Sequence, residues 1–220
     1  MLDKVQILGL SKYYPAILLD ILKDAGFSDF EFYPNLESDL RPYLPIKNFQ
    51  FELKVPGSKL DKNHPIVFGV SGAKNKIPIF NYFKERQSLD FEHFTTIIHN
   101  SSYSATSCKI GKGVFIEQNC TISSQTTLEN GVSVKRGSSI GHHCIIKNWV
   151  DINPGVTISG RVTIGEAAVI GSGTTIIDGI SIGENTLIGA GSVVTKDIPE
   201  GVIAFGNPCR VIKENDRWKF

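Results

Sequence analysis

The sequence predicts a small α/β layer followed by a parallel β-helix, and three observations carry that prediction. From Ile110 an aliphatic residue recurs at every sixth position through Ile116, Ile122, Leu128, Val134 and Ile140 to Val194, fifteen times without a failure. Two residues earlier in each hexad stands a small or medium side chain, as at Cys108, Val114, Thr126, Ser138, Cys144 and Val156. Upstream of about residue 95 the repeat is absent, and short apolar runs alternate with helical patterns. A helix period of 3.6 or simple strand alternation does not produce such a series, whereas a hexapeptide repeat does.

The N-terminal elements follow in order. VQILGL (5–10) reads as a first strand, and PAILLDILKDAG (15–26) as an amphipathic helix stopped by Gly26. FEFYP (30–34) is a second strand, PIVFGV (65–70) a third apolar run, and IPIFNYFKERQ (77–87) a second helical stretch. Strands alternating with helices predict a short parallel sheet of Rossmann-like layout. Residues 35–64 carry no firm pattern.

FTTIIHN (94–100) leads into the solenoid, which places the domains at 1–95 and 96–220. Within each hexad, period-2 alternation turns the aliphatic and small positions inward together. Three residues after the aliphatic position the chain favours Gly or Asn, as at Gly113, Asn119, Gly131, Gly155 and Asn185. Those residues tolerate positive φ, so a corner belongs there. Three hexads close a coil of eighteen residues, and fifteen hexads make about five coils. Residues eighteen apart then stack at about 4.8 Å. The tail after Val194 leaves the pattern and is expected to fold back as a loop with a short terminal helix or an extended piece.

With 23 Lys and Arg against 22 Asp and Glu, the net charge is +1. There is no basic excess to hold nucleic acid or an anionic membrane. No window approaches the ~18 apolar residues of a membrane span, and the start MLDKVQILGL lacks the long apolar region of a signal peptide. A cytoplasmic protein is expected. Cys108 and Cys144 are two coils apart in one column, about 9–10 Å, beyond disulfide reach. Cys120 falls on another column, so free thiols used as small core residues are expected.

The solenoid holds two histidines, the adjacent His142 and His143. His143 occupies the corner position, where His is among the residues that tolerate positive φ, and His142 precedes it on the outside. Eighteen residues beyond His142 stands Gly160, with no side chain to block a ligand. An exposed base beside an open backbone N–H is what acyl transfer requires. The plainer alternative is two polar residues decorating a corner. Two neighbouring histidines do not supply the three ligands of a zinc site, so no metal is expected.

GHHCIIKNWVDINPGVTISGRVTIGEAAVIGSGTTI and GAGSVVTKDIPEGVIAFGNP resemble the left-handed β-helix acyltransferases. Within that family they are most similar to the group of sialic acid O-acetyltransferases and bacillosamine-type nucleotide-sugar N-acetyltransferases. The resemblance is strong over about 95–210 and extends to the N-terminal half in layout. It implies left-handed winding, a homotrimer, acetyl-CoA as cosubstrate, and a nucleotide sugar as acceptor in bacterial surface-glycan synthesis. It also implies His142 as the general base, Gly160 as the N–H donor to the thioester oxygen, Ser172 and Ala190 along the pantetheine arm, and Asn207 and Pro208 near the coenzyme's far end.

The chain departs from the family in two places. The acid that commonly follows the base is His143 here, and Asp151 stands where relatives often carry a histidine near the acetyl group, as a candidate partner for the base. The Gly-rich turn after the first strand is replaced by GLSKYYP, which offers Gly9, Leu10, Ser11 and Lys12 to the acceptor's phosphates, with Asn35 in the loop after the second strand. VSGAKNK (70–76) is a second candidate phosphate turn or a plain connection. Trp149, at a corner, suits packing between subunits or sugar stacking. The acceptor site is expected to draw on Gly9–Lys12, Asn35 and the surface around His142. N-acetylation of an amino sugar leads, O-acetylation by the same machinery is the near alternative, and a non-catalytic trimeric scaffold is the distant one.

Overall fold

The structure is a computed structural model describing residues 4–35 and 49–216. Most of the YPNLESD segment (33–39) lies outside the described residues. The chain divides into two compact units, Met1–Ile97 and Ile98–Phe220.

The first unit contains β1 (Lys4–Leu8), α1 (Tyr14–Asp24), β2 (Asp29–Tyr33), β3 (Glu52–Leu53), β4 (Ile66–Phe68) and α2 (Ala73–Gln87). The strands form one sheet in the order β3-β2-β1-β4, with every pairing parallel. β1 is central because Val5, Ile7 and Leu8 are all fully buried, the two-faced burial of a parallel sheet. Gln6, also buried, satisfies its amide on the main chain of Asp61 at 2.6 and 2.9 Å. α1 turns Leu18, Leu19, Ile21 and Leu22 into the core. α2 begins at Ala73, four residues before the expected start at 77. Gly72, at φ 82°, turns the chain, and its carbonyl accepts from the N–H groups of Asn75 and Lys76 at 3.0 Å. The polar AKNK run is thereby the first helical turn, and Pro78 lies inside the helix instead of ending it.

In the second unit, seventeen two-residue strands run from Ile97–Ile98 to Val193–Val194 at six-residue intervals. They form three parallel faces, and each residue pairs with the one eighteen positions on, as Thr127 with Ile145 and Ile145 with Thr163. This is a parallel β-helix. The aliphatic positions are inward: Ile116, Ile122, Val134, Ile146, Ile152 and Ile170 are all fully buried. Truncating one such Ile to Ala costs about 2–5 kcal/mol. The solenoid begins two strands before the aliphatic series, at Ile97–Ile98 and Tyr103–Ser104, because Ser104 occupies an aliphatic position and interrupts the pattern. Corner residues hold positive φ from Gly113 (63°) through His143 (57°), Trp149 (62°) and Arg161 (57°) to Gly191 (69°).

Trp149 packs within its own chain. It is 6 % exposed, and a β-carbon on Gly131, one coil below, would stand 2.5 Å from its ring. Neither expected role, intersubunit packing or sugar stacking, fits a ring so covered. All four cysteines are free. The tail takes the extended alternative: Val202–Phe205 continues one face in parallel with Leu187–Ile188, and Arg210–Glu214 returns antiparallel to it. Among the described residues no helix is long and apolar enough to cross a membrane.

Glu31, on β2, is buried yet ionised. Lys4 Nζ lies 2.9 Å from it, Lys54 Nζ 3.0 Å, and the Tyr33 hydroxyl donates to it at 3.0 Å. Burial opposes its charge, but the three hydrogen bonds together outweigh that and hold its carboxyl at about 2, below the ordinary 4.5. Because folding lowers this pKa, the unfolded chain binds the proton first as pH falls. The stabilisation is fully present above about 4.5 and is lost as pH falls through about 2. Urea unfolding of the first unit is therefore expected to weaken progressively over that window, and Glu31→Gln is expected to flatten the dependence.

Candidate active site

The corner between two faces of the solenoid carries His142, and the ladder places Gly160 directly beyond it. Arg161 N–H donates to the His142 carbonyl at 2.8 Å, so the two levels are fixed by main chain. A β-carbon on Gly160 would stand 2.6 Å from His142 Nε2 and 2.7 Å from Cε1. Gly160 has ordinary φ, so it is required here for space rather than for its conformational freedom. The imidazole lies over it, and Gly160 is buried beneath an exposed ring. The Gly160 N–H donates to no acceptor among the described residues.

His143 is exposed and its Nδ1 lies 3.0 Å from His142 Nδ1, with the rings 87° apart. One of these nitrogens carries the proton. With it on His142 Nδ1, that nitrogen donates to His143 and leaves His142 Nε2 unprotonated over Gly160. In that tautomer His143 takes the orienting place an acid would have, without adding negative charge.

Cys144 follows directly but is inward and fully buried. Its thiol donates to the Ser159 carbonyl at 3.2 Å, and burial pushes it above the ordinary thiol range. A buried thiol with a raised pKa is a poor nucleophile.

Asp151 opens a strand on a different face from the His142 corner. It is buried, paired with Lys135 Nζ at 3.0 Å, and its Oδ1 has no hydrogen-bond partner. Within one chain it does not reach His142. The carboxylate that does stand there is Asp178, whose Oδ1 lies 2.9 Å from the same β-carbon point on Gly160 and whose Oδ2 is held by Arg161. Sequence reasoning missed Asp178 although the signal was present, since it is one further eighteen-residue step along the column from His142 through Gly160.

Ser172 and Ala190 share another edge of the solenoid. Gly191 N–H donates to the Ser172 carbonyl at 2.8 Å, and both residues are exposed. Asn207 and Pro208, joined by a cis peptide bond, follow on the same edge, where Val193 N–H donates to the Gly206 carbonyl at 3.0 Å. Within one chain this edge is separate from the one carrying His142.

In the first unit, a cavity of about 400 Å³ opens at the carboxyl ends of β1 and β4, where strand order reverses. Such a reversal is where parallel α/β sheets bind ligands. Leu10, Ser11, Lys12 and Asn35 line it together with Lys74 and Asn75, so the GLSKYYP and VSGAKNK turns meet. Gly9 is not in its wall. It lets the strand end pass α2, since a β-carbon there would stand 2.2 Å from Ile79 Cδ1, and its φ is 79°. The Ser11 oxygen accepts from Tyr14 N–H at 3.2 Å, leaving its O–H to donate outward.

Residues 161–196 match the family model described as bacterial transferase hexapeptide, six repeats. No curated protein sequence matches the chain. Among solved structures it is similar to the acetyltransferase domain of PglB from Neisseria gonorrhoeae in complex with acetyl coenzyme A, at 21% identity and TM-score 0.81, covering 96% of this chain and 99% of that one. It is also similar to PerB from Caulobacter crescentus in complex with CoA and GDP-perosamine, at 19% identity and TM-score 0.72, covering 96% and 97%. WeeI from Acinetobacter baumannii is a third, at 19% identity and TM-score 0.75, covering 94% and 99%. The similarity runs through both units, and the chain has the fold of those proteins.

Proposed function

We propose that this chain is an acetyl-CoA-dependent N-acetyltransferase of bacterial surface-glycan synthesis, acting on a nucleotide-linked amino sugar. The observation that carries this reading is His142 Nε2 poised over Gly160, whose N–H is unused by the fold. A base and an unused N–H donor a few ångströms apart are the two groups that thioester aminolysis needs. His142 Nε2 takes the proton of the attacking amine, and the Gly160 N–H holds the oxygen as charge builds. The imidazole swings aside to admit the thioester carbonyl. No acyl-enzyme forms on Cys144, which is inward and raised in pKa.

In this reading the solenoid winds left-handed and the cytoplasmic protein is a homotrimer. Each copy presents its His142 edge to the Ser172 and Ala190 edge of a neighbour, and acetyl-CoA lies along the resulting groove with Asn207 and Pro208 near its far end. Exposed Ile145 and Ile177 flank the His142 corner and suit such a contact. Relatives of the same fold are crystallised with acetyl-CoA or with CoA and GDP-perosamine, which supports both substrate classes. The first unit binds the nucleotide, with Lys12 and Lys74 toward its phosphates.

His142→Ala is expected to lower turnover at least ~100-fold while calorimetry still detects acetyl-CoA binding. His143→Ala is expected to fall less, because a solvent molecule can accept from His142 Nδ1; a reversal of that order contradicts the assignment of the base. Lys12→Ala is expected to raise the Michaelis constant for the nucleotide sugar about tenfold, as loss of one charge-assisted hydrogen bond does, leaving that for acetyl-CoA unchanged. Sedimentation equilibrium is expected to give a trimer, and a fully active monomer defeats the shared-groove reading.

A further inference from the structure

The edge that carries His142 and Gly160 continues to Asp178 at the next level, where Gly179 N–H donates to the Gly160 carbonyl at 3.0 Å. The β-carbon point of Gly160 lies 2.6 Å from His142 Nε2 and 2.9 Å from Asp178 Oδ1. Arg161 takes the other carboxylate oxygen. One oxygen is therefore anchored, and the other stands beside the same point above Gly160 as the imidazole nitrogen. Asp178 is 42 % exposed in its side chain, so a ligand reaches it from solvent.

We propose that Asp178 is a specificity-determining residue, whose Oδ1 faces the same nucleophile as His142 Nε2 and selects an amine, arriving as an ammonium, over a hydroxyl. The inference rests on the acetyl-transfer reading. An ammonium brings several N–H donors and a positive charge, so it donates to Asp178 and to His142 at once. A hydroxyl has one proton. Once that proton is directed to His142, only oxygen lone pairs remain to meet the carboxylate, and that contact is repulsive.

His142 Nε2 takes one proton from the ammonium, and the freed lone pair attacks the thioester carbon. The carbon–nitrogen bond forms as the carbonyl electron pair moves to oxygen, opposite the Gly160 N–H. Collapse breaks the carbon–sulfur bond, and the departing thiolate takes the proton from the imidazolium. The surplus proton on nitrogen leaves through Asp178 to solvent. One proton is released per turnover with an ammonium acceptor and none with a hydroxyl.

The test compares wild type with Asp178→Asn and Asp178→Glu. The acceptors are UDP- and GDP-linked 4-amino sugars and their 4-hydroxy counterparts, with thiol and proton release both followed. Wild type is expected to acetylate amines and release protons. Asp178→Asn is expected to raise the Michaelis constant for the amine about ten- to hundredfold, Asp178→Glu to recover part of it, and acetyl-CoA binding to stay unchanged. Arg161→Met keeps the carboxylate but removes its anchor, and is expected to raise the Michaelis constant for the amine less than Asp178→Asn does; an equal or larger rise marks Asp178 as a mere support of the edge and overturns the inference. A Michaelis constant changed by less than about twofold in Asp178→Asn overturns it too. So does a wild type that prefers hydroxyls, or one that binds acetyl-CoA and acetylates no amine. Those outcomes leave acetyl transfer or coenzyme binding standing, whereas a wild type that binds no acetyl-CoA overturns the acetyl-transfer reading itself.

Discussion

The left-handed backbone conformation at every sixth residue is the constraint on which the second unit depends. Each corner residue from Gly113 to Gly191 adopts it, whatever its side chain. For an L-residue that conformation costs roughly 1–2 kcal/mol, yet Gln125, His143, Trp149, Arg161 and Ala167 all hold it. They do so because the ladder over-determines them. His143 N–H donates to Ser124 O at 3.0 Å and Trp149 N–H to Asn130 O at 2.9 Å, so a corner that relaxed would break the bonds to the level below. A regular corner keeps the coil at eighteen residues, and an eighteen-residue coil gives every position a vertical neighbour.

Function is confined by the same constraint. Inward positions are spent on Ile, Val and small residues, which is why Cys144, one residue after the histidine pair, is closed to chemistry. Outward corner positions remain. At some of them a side chain caps the main chain of a neighbouring level: Asn130 Oδ1 accepts from Lys112 N–H at 2.8 Å, and Asn148 Oδ1 from Asn130 N–H at 3.1 Å. The edge with His142, Gly160 and Asp178 differs in what it carries, an exposed imidazole and an exposed carboxylate meeting above a glycine. The first unit concentrates its polar turns differently, at the reversal of strand order, where two loops leave the sheet in opposite directions and a cavity opens between them.

Legibility in the sequence follows these physical differences. The β-helix was readable because one inward aliphatic residue per hexad is a strict packing demand with a fixed period. Where the demand lapsed the reading stopped early, as at Ser104, whose buried hydroxyl has no hydrogen-bond partner. The sequence places the helix from Ile77 because proline suits the first turn of a helix, while Gly72 and its carbonyl start α2 four residues earlier, from outside the helix. Trp149 misled for a related reason: a large ring at a corner looks exposed in a pattern, and the vacancy that receives it is the missing side chain of Gly131, eighteen residues away. Of the candidate site, His142 and Gly160 were legible as a column, while Asp178 needed the same arithmetic carried one level further. Asp151 shows the opposite error, since its sequence distance of nine from His142 is half a coil and leads to another face.

A site stacked along one edge has its geometry set by the main chain. The spacing of His142, Gly160 and Asp178 is fixed by N–H to carbonyl bonds of 2.8 and 3.0 Å that are independent of the side chains themselves. Exchanging a side chain on this edge therefore changes the chemistry offered at a level without moving the level. That separates two positions for a carboxylate on this edge, 143 and 178. An acid at position 143 would sit beside Nδ1 and act through the base alone. The acid at position 178 lies on the Nε2 side of the ring, where the proposed reading brings the nucleophile. In the proposed mechanism, moving the negative charge from the back of the base to its front converts a group that tunes proton transfer into one that the acceptor itself meets, and leaves His143 to orient the imidazole through Nδ1.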